Sequence, residues 1–410
     1  MKIAIVSKYF PPNIRGGGEI SAYNLAQALT EIGVEVHVIT STNVEQLKES
    51  KFTLHPIIKD VSMPSVLNYV SRNEVFYWNS YKAESKFLSD NRDIDVVHAM
   101  NMTSIPGTVK ASVKHSIPSI ITINSHWLTC PTGMMLKSDD TVCDGECSFI
   151  KTLHCYSNSS FPEMLLGTLY SPIQMHTRKK YASNADAVVS ISRSIEGYVK
   201  QVINPKRSYV IPNIINAEEY NVDPEDEYRS NILFLGALIK PKGCEYLIRA
   251  MPEITKEHPK VVLRILGEGV EYDYLRKLSE RSGIEKNVVF EGVVPHAKTP
   301  VYYASTDIVV LPSTWPEPLS RIILEAMASR KPIVATKAGG TPDIVKHGEN
   351  GILVDINNPK QIYEAIVSLL SDESKRFDMG KRGKEMVKKM FSPSTVSKSY
   401  HNIYKEISNR

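Results

Sequence analysis

Two doubly wound parallel α/β domains are the fold class that this sequence predicts, and three observations predict it. Short apolar runs alternate with amphipathic stretches along nearly the whole chain. The runs are almost continuous in Val and Ile, which marks strands buried on both faces of a parallel sheet. The alternation breaks once, at the acidic, polar stretch NAEEYNVDPEDEYRS (216–230), and then restarts. That stretch reads as a linker, and the 410 residues are enough for two or three domains.

Taken in order, the first strand is KIAIVS (2–7), followed by a glycine-rich loop and SAYNLAQALTEI (21–32), which has helical spacing. VEVHVIT (34–40), DVVHAM (95–100), SIITIN (119–124), AVVSIS (187–192) and YVIPN (209–213) continue the series. After the linker come ILFLGAL (232–238), VVLRILG (261–267), VVFEGVV (288–294), IVVLPS (308–313), PIVAT (332–336) and GILVD (351–355). The implied domains are 1–215 and 216–393, and a terminal helix over 394–410 could pack back on the first. Two such units joined by one linker leave a cleft between strand C-termini, where open α/β sheets bind ligands. The lysine-rich stretch 375–392 reads as a solvated helix face, and Pro393 as a break.

Composition narrows the classes. With 42 % hydrophobic and 23 % charged residues the chain is globular. The balance of 49 basic against 45 acidic residues gives +4, too weak for a dedicated nucleic-acid binder. No stretch approaches the ~20 apolar residues that span a bilayer. MKIAIVSKYFPP lacks a signal-peptide core and cleavage site, so a cytoplasmic protein is expected, at most peripheral on the inner face of a membrane. Five cysteines do not make a secreted disulfide scaffold.

Three constellations carry chemistry. Gly16, Gly17 and Gly18 stand between the first strand and helix, where a bare backbone and a helix N-terminus can approach an anion; a flexible βα turn is the alternative. Glu317 is expected at the mouth of a helix that Pro318 opens, with Glu325 two turns further in. The N–H groups of Leu319 and Ser320 would then hold a phosphate, with a carboxylate at each end accepting sugar or ribose hydroxyls. Otherwise Glu317 is a helix-mouth acid and Glu325 an i, i+4 partner of Arg321. Third, Cys130, Cys143, Cys147 and Cys155 follow a C-x12-C-x3-C-x7-C spacing. Four thiolates could close a structural zinc site; an iron–sulfur cluster, two disulfides or unrelated thiols are the alternatives.

Glu317-x7-Glu325 with EAMASRKPIVAT, AGGTPDIV and NGILV resembles the donor-site core of glycosyltransferase family 4. KIAIVS…GGGE, IPNIIN, LGALIKPKG and LGEG match the same family in order. The resemblance implies two Rossmann-like domains facing across a cleft, the glycosyltransferase-B architecture. It also implies sugar transfer from a nucleotide-sugar donor with retention and no catalytic metal. Carried over by motif, Gly16 and Gly17 close over the donor diphosphate, Lys242 binds it, and Leu319 and Ser320 offer it N–H groups. Glu317 contacts the transferred sugar, Glu325 the ribose, and His126 the reacting sugar. The family's phosphate-binding Arg is Ala237 here, with Lys240 as a substitute from the same loop. No second carboxylate is placed as a nucleophile, so front-face attack is expected.

The implied enzyme is a hexosyltransferase, in cell envelope polysaccharide biosynthesis by family analogy. Its acceptor would be a glycan, a lipid-linked glycan or a small molecule. An epimerase of the same fold and a non-catalytic nucleotide-sugar-binding subunit are the alternatives. Two stretches, 73–88 and 161–182, the latter ending in Arg178, Lys179 and Lys180, suit a surface resting on an anionic membrane; ordinary helices packing on the sheet are the bland alternative.

Overall fold

The computed structural model describes residues 1–13, 16–42, 51–60, 65–137, 141–143, 147, 149–157 and 160–408, the side chains of 65–73 excepted. They form two compact units, one of 1–214 with 393–410, the other of 215–392.

The first unit is a parallel sheet of β1 (Lys2–Val6), β2 (Glu35–Ile39), β3 (Thr53–His55), β4 (Val96–Ala99), β5 (Ser119–Ile123), β6 (Ala187–Ser190) and β7 (Ser208–Val210). Its order is β3-β2-β1-β4-β5-β6-β7. The order reverses between β1 and β4, so ligand chemistry is expected at the loops leaving those strands. The helices are α1 (Gly17–Glu31), α2 (Ser65–Asp90), α3 (Ile105–His115), α4 (Phe149–Cys155), α5 (Phe161–Asn184) and α6 (Arg193–Val202).

The second unit repeats the plan with β8 (Ser230–Leu235), β9 (Leu263–Leu266), β10 (Val288–Gly292), β11 (Thr306–Leu311), β12 (Ile333–Thr336) and β13 (Gly351–Val354), in the order β10-β9-β8-β11-β12-β13. Its helices are α7 (Cys244–Glu257), α8 (Tyr272–Arg281), α9 (Thr299–Ala304), α10 (Arg321–Ala328), α11 (Thr341–Ile344), α12 (Pro359–Leu370) and α13 (Glu373–Met390). The last helix, α14 (Pro393–Ser408), belongs to the first unit.

Strand periodicity explains the layers. Ile3 and Ile5 of β1 enter a core with Leu25 and Leu29 of α1 and Val396 and Tyr404 of α14. Ala4 and Val6 enter the opposite core with Phe76, Phe87 and Leu88 of α2. His98 of β4 ties α14 down. Its ring nitrogens lie 2.8 Å from the Tyr404 hydroxyl and 2.8 Å from Thr122 Oγ1, and burial pushes its pKa down to about 3.

The structure departs from the sequence reading in three places. The edge strand β3 is too short, at Thr53–His55, to show a period. The stretch read as a linker contributes a 3-10 turn, Ala217–Tyr220, whose Tyr220 is buried edge-on to Tyr303. Segment 73–88 is a core helix rather than a membrane face: Phe76, Tyr77, Phe87 and Leu88 are buried and only Trp78 among its aromatics is exposed.

Candidate active site

In the second unit, the 240–242 turn ends at Gly243, with φ +69°. A Cβ there would stand 1.9 Å from Pro312 O, so only glycine lets the two loops meet. Thr314 N–H then donates to Pro241 O at 2.8 Å. This contact brings Lys242 Nζ within 2.6 Å of Glu317 Oε1, an oxygen that also accepts from Ser313 Oγ at 2.9 Å. Lys242 lies over the Trp315 ring as well. Glu317 is 4 % exposed, so its charge is compensated by Lys242 rather than by water. Its main chain is held from the other side: Gly340 N–H donates to Glu317 O at 2.6 Å, and Gly339 turns at φ +55° directly against it. Lys240 and Ala237 are exposed on the Lys242 loop.

Glu317 does not sit at the helix mouth as expected. Helix α10 begins at Arg321, with Ser320 as its N-cap, rather than at Pro318. Pro316 and Pro318 disfavour helical backbone at the residues before them, and the Glu317 carbonyl is engaged by Gly340. Leu319 and Ser320 therefore lead into the helix, both buried.

Glu325 lies inside α10, 5 % exposed. The Tyr303 hydroxyl donates to its Oε2 at 3.0 Å, and His296 Nε2 lies 3.1 Å from its Oε1. Arg321 Nε is further off, at 3.7 Å, so the expected i, i+4 partner is the outermost of the three. The Glu325 carboxylate holds the His296 pKa above the ordinary imidazole range. Burial first, and Glu325 second, push the Tyr303 hydroxyl well up. The sequence reading missed His296 and Tyr303. The signal for His296 was present: it follows a parallel strand's C-terminal end, as His126 does.

In the first unit, Gly16 is the exposed N-cap of α1 and Gly17 its first residue, with no side-chain cap. A Cβ at Gly18 would stand 3.0 Å from Asn124 Nδ2, so the glycine turn touches the segment that leads to His126. The His126 carbonyl accepts from Thr129 N–H at 3.1 Å and Cys130 N–H at 2.9 Å, forming one helical turn. Its ring is buried, edge-on to Tyr198 at 4.9 Å.

The cysteines do not support the zinc expectation. Among the described residues no group of three or more His, Cys, Asp or Glu side chains is arranged to hold a metal ion, and none of the five cysteines is in a disulfide. Burial first, then the neighbouring Cys130, Cys143 and Cys147, push the Cys155 thiol up to about 11. Arg178, expected on a basic outer end, is buried instead.

Comparison with known proteins places this geometry. Residues 15–219 match the family Glycosyltransferase Family 4, and residues 216–386 match Glycosyl transferases group 1. An uncharacterized glycosyltransferase of Methanocaldococcus jannaschii is 32 % identical, covering 99 % of this chain and 98 % of that one. Anabaena HepE in complex with UDP-glucose superposes with a TM-score of 0.70 at 19 % identity, over 99 % of this chain and 100 % of that one. Sucrose-phosphate synthase from Thermosynechococcus elongatus gives 0.73 at 20 % identity, over 99 % and 98 %. The structural likeness fixes the fold as glycosyltransferase-B, and the sequence matches fix the family: the chain belongs to the glycosyltransferases, family 4 in its N-terminal half and group 1 in its C-terminal half.

Proposed function

We propose that the protein is a retaining hexosyltransferase that takes its sugar from a nucleotide-sugar. The observation that carries the reading is the Lys242–Glu317 pair, fixed between Gly243 and Gly340. Glu317 meets the hydroxyls of the transferred sugar, and Lys242 neutralises the diphosphate as charge gathers on it. Lys240, the N–H groups of Leu319 and Ser320, and the turn at Gly16 and Gly17 complete the diphosphate contacts. Glu325, oriented by Tyr303 and His296, accepts the ribose hydroxyls. His126 contacts the reacting sugar. In the transfer, the bond from the anomeric carbon to phosphate oxygen breaks. The bond to acceptor oxygen forms on the same face, and the acceptor proton goes to the leaving diphosphate. No step requires a metal. HepE, of the same fold, is known with UDP-glucose, which supports a nucleotide-sugar donor.

A screen of UDP-, GDP- and ADP-sugars for binding and slow hydrolysis tests the reading. One of them should bind and hydrolyse, and Glu317→Gln should abolish hydrolysis. Epimerised donor without acceptor would favour an epimerase. Binding without turnover, with any acceptor, would favour a non-catalytic subunit.

The acceptor is proposed to be a lipid-linked or cell-envelope glycan reached by peripheral membrane contact. Helix α5 carries the supporting observation, because it is inside out. Its buried residues are Gly167, Thr168, Ser171, Gln174, Arg178 and Ala182, while Phe161, Leu165, Leu169 and Ile173 form an exposed ridge four residues apart. Exposed Lys180 lies further along the same helix, past Ile173. Among the described residues no helix is long and apolar enough to cross a membrane, whereas such a ridge suits lying on one. Co-sedimentation with anionic and neutral liposomes at two salt concentrations checks this. Binding that Leu165→Ser with Leu169→Ser removes is expected; no binding, with activity on a soluble sugar, would rule the membrane contact out.

A further inference from the structure

We propose that Arg178 is a positioning residue that fixes the turn carrying His126; the inference rests on the reading of His126 as a contact of the reacting sugar. Arg178 projects from α5 and is 4 % exposed. Its Nη1 lies 3.0 Å from the carbonyl oxygen of Trp127 and 3.1 Å from those of Cys130 and Pro131. Two hydrogens are thus shared among three main-chain acceptors. The guanidinium also lies over the Trp127 ring, at 5.3 Å. A charge-assisted contact to a carbonyl is stronger than a neutral one, and these are shielded from water.

The three carbonyls belong to one short segment. It starts at His126, whose own carbonyl closes the turn through Thr129 and Cys130. The carbonyls of the turn's second residue, of its last residue and of the residue beyond are therefore clamped to a single side chain on a different element. Without it, the segment after His126 retains its own turn bonds but loses these three hydrogen bonds to α5. The ring of His126 would then drift relative to Tyr198, at a position where displacement by about 1 Å costs up to a hundredfold in rate. In the proposed reading the donor is bound by Lys242, Glu317 and Glu325, none of which belongs to the segment that Arg178 grips. The effect should therefore fall on turnover and not on donor affinity.

The test is a double-mutant cycle between His126→Ala and Arg178→Met, with Arg178→Lys as the conservative variant and thermal midpoints as a check on folding. Arg178→Met should lower kcat roughly tenfold to a hundredfold while donor KM stays within about threefold. Arg178→Lys keeps a charge and donors and should recover part of the loss. In the His126→Ala background Arg178→Met should add less than about twofold, because both act on one step. If His126→Ala is fully active, the reading of His126 fails and this inference with it. If His126→Ala is impaired but Arg178→Met is wild-type, or its effect multiplies independently, the positioning role alone is overturned. Should Arg178→Met not fold, the same cycle run with Arg178→Lys decides by the same criteria.

Discussion

The two units hold their candidate groups by opposite means. In the second, side chains hold side chains: Lys242 and Ser313 on Glu317, Tyr303 and His296 on Glu325. The Glu317 contacts depend on glycines that let three loops touch, at Gly243 against Pro312 and at Gly339 against Glu317. In the first, a side chain holds main chain: Arg178 grips three carbonyls, and the outer face of its helix is apolar. A site of preorganised charges needs close backbone approach, and that need writes glycines and carboxylates into the sequence. A turn gripped through its carbonyls leaves no motif, since every residue has a carbonyl.

The sharpest way to break this contrast is to add one methyl group to each unit. At Gly339 a Cβ would stand 2.2 Å from Glu317 O, on backbone with φ +55°. At Gly16, among the described residues, it would meet only a Glu19 carboxylate oxygen at 3.7 Å, on extended backbone. Gly339→Ala should therefore lower donor-dependent activity by roughly a hundredfold or more, with the Glu317 main chain displaced. Gly16→Ala should leave the thermal midpoint unchanged, so any loss of activity there reports on ligand approach and not on folding. Equal effects on thermal midpoint and activity from both would erase the distinction.

Lys242→Ala comes next. It leaves Glu317 buried with Ser313 still donating to its Oε1, and removes the cation proposed to face the leaving group. Turnover should fall about tenfold to a hundredfold, and donor affinity less. With Glu317→Gln, a double-mutant cycle should show coupling of about 1 kcal/mol or more. Equal losses in binding and turnover would shift the role to Lys240.

How much was legible follows the same division. The strands of both sheets could be read because Val and Ile runs are dictated by burial on both faces. β3 escaped because three residues carry no period. Glu317 and Glu325 stood out as two carboxylates on the stretch that Pro318 opens, and Lys242 through the family motif LGALIKPKG. The start of α10 did not, because two prolines and a tertiary hydrogen bond from Gly340 override the preference of Pro318 for a first helical turn. Tyr303 and His296 reach Glu325 from α9 and the turn before it, a contact that only tertiary folding creates. Arg178 was misread because its neighbours Lys179 and Lys180 made it part of a charge run, whereas helical rotation turns it alone inward.

One histidine in each unit sharpens the comparison through pH. His98 in the first unit is depressed to about 3 by burial. A depressed group gives stability that is fully present above its unfolded pKa, near 6.5, and lost as pH falls through the folded value. The first unit should therefore lose stability on acidification from about pH 6.5 towards 3, by up to roughly 1.4 kcal/mol per unit. His98→Gln should flatten the slope in acid-unfolding curves followed by circular dichroism. An unchanged slope would mean that carboxylate titration accounts for all of it.

The smallest effect is expected at His296, and its sign is opposite. The Glu325 carboxylate raises its pKa, so the stabilising charge is fully present below about 6.5 and lost as pH rises through the raised value. The His296 side chain is 53 % exposed, and solvent screening keeps the contribution below about 1 kcal/mol. Glu325 is the shared partner of this ring and, in the proposed reaction, of the donor ribose. A ribose that takes over Oε1 from the imidazole would release that proton. Nucleotide-sugar binding should then release a fraction of a proton near neutral pH, read as a dependence of the calorimetric binding enthalpy on the ionisation enthalpy of the buffer. His296→Gln should abolish that dependence while the nucleotide still binds. Persistence of the same proton release in His296→Gln would mean that another group titrates and that His296 keeps its contact with Glu325 in the complex.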